Sequence, residues 1–184
     1  MLKNLIRFRK ETSGVAALEM AFIMPFLLFL YFGLVDLTAM ISLNRKVTYA
    51  ASVVADLVTQ NETTVTAGAI DDYFNAAELV LMPTPIANAR VEVYQYRRIN
   101  GTITNQWSRK SSGGVGCGAP NTSGLADLMS DNNDVVVAVV CTTYTPYVAT
   151  FLGKTILGAT SFSMNEQNAV RPRQSLTLTC SGCS

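Results

Sequence analysis

Glu19 and four cysteines are the residues of this chain whose type and placement could do chemistry. Glu19 stands near the start of an apolar run, and no charged residue lies between it and Asp36. An ionised carboxylate in such surroundings is costly unless it is paired. Gly14 lies five residues earlier. A cut after Gly14 would make Val15 the new N-terminus and Glu19 the fifth residue of the shortened chain. A free amine and a carboxylate would then sit about one helical turn apart. They could neutralise each other within one chain or, more usefully, between neighbours in a stack of helices. An uncut signal anchor, with a glutamate reaching for the membrane surface, accounts for the same residues.

The cysteines, Cys117, Cys141, Cys180 and Cys183, all follow the apolar run. In an oxidising compartment they can form disulfides, and four cysteines allow three pairings. The expected pairing is Cys117 with Cys141, tying a glycine-rich loop to an apolar strand, and Cys180 with Cys183, closing the tail. Closing a loop of about two dozen residues stabilises by roughly 3 kcal/mol in the chain-entropy account. The rival reading of Cys180-Ser-Gly-Cys183 is a redox site, but a reactive thiolate needs a helix N-terminus in a βαβ setting. Zinc is a poor fit, because Cys117 and Cys141 are not closely spaced and the chain has no histidine to join them.

The lack of histidine also removes the commonest general base. Asp71-Asp72 and the pair Asp131 and Asp134 lack the alternating oxygen ligands and glycine of a calcium loop. The first pair suits the opening turn of a helix and the second a turn. The glycine-rich segment 111–124 has no Lys-Ser/Thr ending for a phosphate loop and reads as a mobile surface loop. No catalytic group, metal site or cofactor is expected.

The apolar run must position Glu19. From Val15 to Val35 it holds roughly twenty residues, the length an α-helix needs to cross a bilayer. Lys3, Arg7, Arg9 and Lys10 precede it against Glu11 alone, a bias that keeps the N-terminus cytoplasmic and sends the later chain outward. Arg45 and Lys46 on the far side oppose this with two charges against four. Pro25 lies inside the run, where a proline removes a backbone hydrogen bond and kinks a helix or is simply tolerated. The chain of 184 residues is 49% hydrophobic and 15% charged. About 140 residues follow the run, enough for one domain with its own core. Net charge is +1, and without residues 1–14 ten basic residues face twelve acidic ones. Neither balance nor patterning points to nucleic acid.

The division expected is a basic leader over 1–14, a transmembrane helix over 15–43 and an extracytoplasmic head over 44–184. Val47, Ala50, Ala51, Val54, Leu57 and Val58 recur at helical spacing, so the membrane helix continues as an amphipathic one to Gln60. Thr66 can cap a second helix reaching about Met82, with Ile70, Tyr73, Phe74, Ala77 and Leu81 inward. The pattern then alternates. Ala89 to Ile99 reads as a strand, Asn100-Gly101 as a hairpin turn and Thr102 to Arg109 as the partner strand, with Ile103, Asn105 and Trp107 on one face. Val135 to Tyr144 is apolar on both faces and so central. Pro146 opens a short helix to about Leu157, and Thr160 to Ala169 is a last strand with Phe162 and Met164 inward. The fold class is α+β, two helices on a small antiparallel sheet.

A basic leader, Gly14 and then Val-Ala-Ala-Leu-Glu19 ahead of an unbroken apolar helix resembles a type IV prepilin cleavage region. The longer stretch through Met-Ala-Phe-Ile-Met-Pro-Phe-Leu-Leu to Phe32-Gly33-Leu34 resembles the TadE/TadG-like minor pseudopilins of tight-adherence (Flp) pilus systems. Met20 stands where that family often has an aromatic residue. The resemblance implies a pilin-like head, cleavage between Gly14 and Val15 by a prepilin peptidase, and a role in assembling or initiating a pilus that serves surface adhesion. Its implied partners are other pilin-like subunits and the inner-membrane assembly platform. Its implied place is a bacterial inner membrane, single-pass, with the C-terminal domain in the periplasm. The longer members carry an Asp-x-Ser-x-Ser metal motif that this chain lacks, which favours the TadE-sized kind. Two other functions remain open: an uncleaved membrane-anchored envelope scaffold or binding protein, and an extracytoplasmic thiol-disulfide protein.

Overall fold

A computed structural model describes residues 13–83, 88–148 and 161–183. Helix α1 (Ser13–Thr59) runs without interruption through Pro25. By their contacts the described residues form two compact units: residues 13–39 with 146–148, and residues 40–145 with 161–183.

In the larger unit the end of α1 supplies one side of the core. Leu43, Val47, Ala50, Ala51, Val54, Ala55 and Val58 are buried, a stripe repeating every three or four residues. The helix stops at Thr59, where the Asn61 side-chain amide donates to the carbonyls of Leu57 and Val58 at 3.2 and 3.0 Å. These are two of the carbonyls that any helix end leaves unpaired. A three-residue strand, β1 (Thr64–Thr66), leads into helix α2 (Ala67–Leu81). The Thr66 hydroxyl caps that helix by accepting from the Ala69 N–H at 3.2 Å. Ile70, Phe74, Ala77 and Leu81 are its buried face, with Tyr73 partly buried beside them.

Strands β2 (Ala89–Ile99), β3 (Thr102–Lys110), β4 (Asp134–Tyr144) and β5 (Phe162–Val170) make an antiparallel sheet in the order β3-β2-β4-β5. Asn100 and Gly101 both have positive φ, at 49° and 80°. The two-residue hairpin turn needs that of both its central residues. β4 lies between β2 and β5 and is buried on both faces from Asp134 to Thr142. Val91, Val93, Val136, Ala138, Val140 and Met164 face the helices. Tyr94, Tyr96, Val135, Val137, Val139 and Cys141 point to the other face.

That second face is covered by the glycine-rich segment. Cys117 and the short helix α3 (Leu125–Leu128) bring Cys117, Leu125 and Met129 onto it. The segment is fastened rather than free. Asn165 donates to the Cys117 carbonyl at 2.6 Å, and Gln167 exchanges hydrogen bonds with the Asn121 backbone at 2.8 and 3.0 Å. Gly114 crosses so close to β2 that a Cβ would lie 2.9 Å from the Ala89 carbonyl carbon, at a φ of +62°.

Three local expectations are corrected. Gln95 pairs with Trp107 and Tyr96 with Asn105, which leaves Gln106 as the extra residue of a β-bulge. Trp107 therefore joins the helix-side core while Ile103 packs on the opposite face. Phe162, at the outer end of an edge strand, is exposed, and only Met164 of that expected pair is buried. Asp71 lies beyond the first turn of α2, where it pairs with Arg109 rather than opposing the helix dipole.

The tail returns to the core. β6 (Thr179–Ser181) pairs in parallel with β1. Leu178 is fully buried, and its carbonyl accepts from the Trp107 indole N–H at 3.2 Å. Arg173 reaches Asp56 of α1, and its N–H donates to the Thr59 carbonyl at 3.2 Å.

Candidate functional site

Gly14 and Val15 lie in the first turn of α1, and Glu19 is one turn further on the same face, four residues from Val15. All three are exposed, and among the described residues the Glu19 carboxylate meets no hydrogen-bond or ion-pair partner. A Cβ added at Gly14 or at Gly33 would touch nothing. From Val15 to Val35 nearly every large apolar side chain is exposed all round the helix, including Phe22, Phe26, Phe29 and Phe32. A polar protein in water would not leave such a surface open, whereas a helix apolar on every side suits a lipid surrounding or a helical bundle. The mean hydropathy of the most apolar window is 2.1, so the helix is long and apolar enough to cross a membrane. The leader residues Lys3, Arg7, Arg9 and Lys10 lie outside the described residues.

Residues 14–56 match the family model of the TadE-like proteins. The N-terminal region is TadE-like. No curated protein and no solved structure matches the chain. The TadE-like region holds Gly14, Val15, Glu19 and Pro25, and also the first part of the buried stripe of α1, from Leu43 to Ala55. Its apolar half and its amphipathic half are one continuous helix, followed by the α+β fold.

One residue of the TadE-like region was not singled out by sequence. Asp36 closes the charge-free run, yet its side chain is buried and accepts two backbone hydrogen bonds. The Tyr147 N–H donates to one carboxylate oxygen at 2.9 Å and the Val148 N–H to the other at 2.8 Å. The signal was available, since an ionisable residue at the edge of a membrane-length run needs a partner. Its partner lies more than a hundred residues away, so local pattern could not name it. The expected helix from Pro146 to Leu157 is described only over its first residues, where Tyr147 and Val148 are helical; the remainder lies outside the described residues.

The structure joins Cys117 to Cys141 and Cys180 to Cys183. The first disulfide pins the glycine-rich segment to β4, and the second closes the turn after β6. Cys180 lies in β6 and pairs with Val65 of β1, so the tail turn runs beside Ala67 at the start of α2, with both of its cysteines held in the disulfide. Among the described residues no three cysteine or carboxylate groups converge as metal ligands.

Several charged side chains of the larger unit are paired within it. Glu92 is buried on the segment-covered face, accepting from the Tyr94 hydroxyl at 2.5 Å and from Arg90 Nε at 2.7 Å. Burial, with the Glu92 carboxylate second, pushes the Tyr94 phenol well above its usual range. The Asp134 carboxylate hydrogen-bonded to Arg97 raises the guanidinium further. The Arg109 hydrogen bonds hold the Asp71 carboxyl below the ordinary carboxylate range. The Arg97–Asp134 pair joins two strands, and the Arg109–Asp71 pair joins a strand to α2.

Proposed function

We propose that this chain is a minor pilin-like subunit of a tight-adherence (Flp) pilus, processed after Gly14 and needed to assemble or initiate that pilus in surface adhesion. The observation that carries the reading is the TadE-like match over residues 14–56, laid on a helix that presents Val15 and Glu19 one turn apart on an open surface. Processing by a prepilin peptidase frees the Val15 amine. The Glu19 carboxylate then neutralises that amine, in its own chain or in the next subunit, where low dielectric makes an unpaired charge costly. The apolar run anchors the subunit in the bacterial inner membrane, single-pass, with the later residues in the periplasm. That compartment is oxidising and suits the two disulfides.

The partners are the prepilin peptidase, other pilin-like subunits and the assembly platform. The subunit works by helix packing and surface contact and is not an enzyme. The test is Glu19→Ala in the native host. The expected result is a protein still inserted and cleaved, with pili reduced or lost. Normal piliation in that variant would remove the role given to Glu19.

A further inference from the structure

Asp36 is 6% exposed, although it ends a run of exposed apolar side chains. Its two oxygens accept the consecutive amides of Tyr147 and Val148 at the start of a helical turn. Pro146 opens that turn and has no N–H of its own, so Asp36 satisfies the first two amides that the turn exposes.

Tyr147 and Val148 also line an apolar groove with Pro25, Leu28, Phe29 and Phe32. Phe32 lies about one turn before Asp36, Phe29 about two and Pro25 about three. The turn at Tyr147 therefore lies alongside the apolar run, on the Pro25 side of Asp36. Tyr147 is 72% exposed there. The sequence from Pro146 to Thr160 carries one charged residue, Lys154.

A backbone amide at hydrocarbon depth must be paired within the protein, because no water is there to pair it. A carboxylate at that depth is costly unless it is paired or hydrogen-bonded. Each group here answers the other's need. We propose that the chain meets the bilayer twice: the turn at Pro146–Val148 re-enters the outer part of the membrane beside α1, held by Asp36, with Tyr147 facing lipid. This rests on the membrane-spanning reading of α1 given above.

The test uses the full chain in phospholipid nanodiscs with a nitroxide on a single introduced cysteine. The four native cysteines are paired in disulfides and do not take the label. Labels go at Tyr147→Cys, at Leu27→Cys in the apolar run and at the exposed Glu62→Cys as the aqueous reference. Collision with oxygen, which concentrates in hydrocarbon, is compared with collision with a water-soluble nickel chelate. The oxygen-to-nickel ratio is expected to be several-fold higher at both Leu27→Cys and Tyr147→Cys than at Glu62→Cys. Adding Asp36→Leu should drop the Tyr147→Cys ratio toward the aqueous reference and leave that of Leu27→Cys unchanged. A lipid-like Leu27→Cys with a water-like Tyr147→Cys would overturn the re-entrant turn and keep the span. Water-like ratios at both would overturn the span itself and the turn with it. A Tyr147→Cys ratio unmoved by Asp36→Leu would overturn the holding role of Asp36.

Discussion

Arg97 and Asp134 meet through two hydrogen bonds, Nε to Oδ1 at 2.6 Å and Nη2 to Oδ2 at 2.8 Å, with the Asp134 side chain wholly buried. The Leu178 N–H donates to the same carboxylate at 2.6 Å. One carboxylate thus joins β2, β4 and the C-terminal tail. Asp134→Ala leaves a guanidinium and a buried amide unpartnered, and breaking a buried pair from one side costs about 3–5 kcal/mol. Chemical denaturation followed by Trp107 fluorescence should show that loss. Arg97→Ala should cost a comparable amount, and the double variant less than the sum.

The Cys117–Cys141 disulfide closes a loop with a sequence separation of 24. Removing it as Cys117→Ser with Cys141→Ser should lower stability by about 3 kcal/mol, mostly through a freer unfolded chain. The same variant should raise hydrogen exchange in the segment over β4 before it does so in α2, since the segment then keeps only non-covalent ties, among them those of Asn165 and Gln167. Equal exchange in wild type and variant would show that the hydrogen bonds suffice.

Asp71 and Arg109 join α2 to β3 with contacts of 2.7 and 3.0 Å. The Asp71 carboxyl is depressed by the Arg109 hydrogen bonds. A depressed carboxyl contributes stability that is present above its unfolded pKa, about 3.9, and lost as pH falls through the folded value. Asp71→Asn should therefore lower stability slightly at pH 7 and flatten the loss on acidification, the two proteins converging as pH falls below about 4 and the wild-type carboxyl protonates. Both side chains are partly exposed, so the difference should be small and should shrink in high salt. Acid titrations of the two proteins at low and high salt check this.

The parts legible in the sequence were those set by local period. The stripe from Val47 to Val58, the cap at Thr66, the Asn100-Gly101 turn and the doubly apolar β4 each declare themselves within a dozen residues. The bulge at Gln106 does not, because one extra residue resets the alternation without changing composition. That is why Ile103 and Trp107 look alike in sequence and lie on opposite faces. Tail docking was also hidden: Thr64 and Thr179 are partners across 115 residues, and no local pattern encodes a parallel pair of three-residue strands. Asp36 failed for the same reason. At the N-terminus the long apolar helix that carries Gly14, Val15 and Glu19 was legible from its run of apolar residues, and residues 14–56 match the TadE-like family model.

The N-terminal sequence and intact mass of the protein from its native host, with the prepilin peptidase present and deleted, test the central claim most directly. The account predicts a terminus at Val15 that reverts to an uncleaved leader when the peptidase is absent. A chain that keeps residues 1–14 with the peptidase present would contradict it, leaving an anchored envelope protein whose Glu19 has no amine to meet.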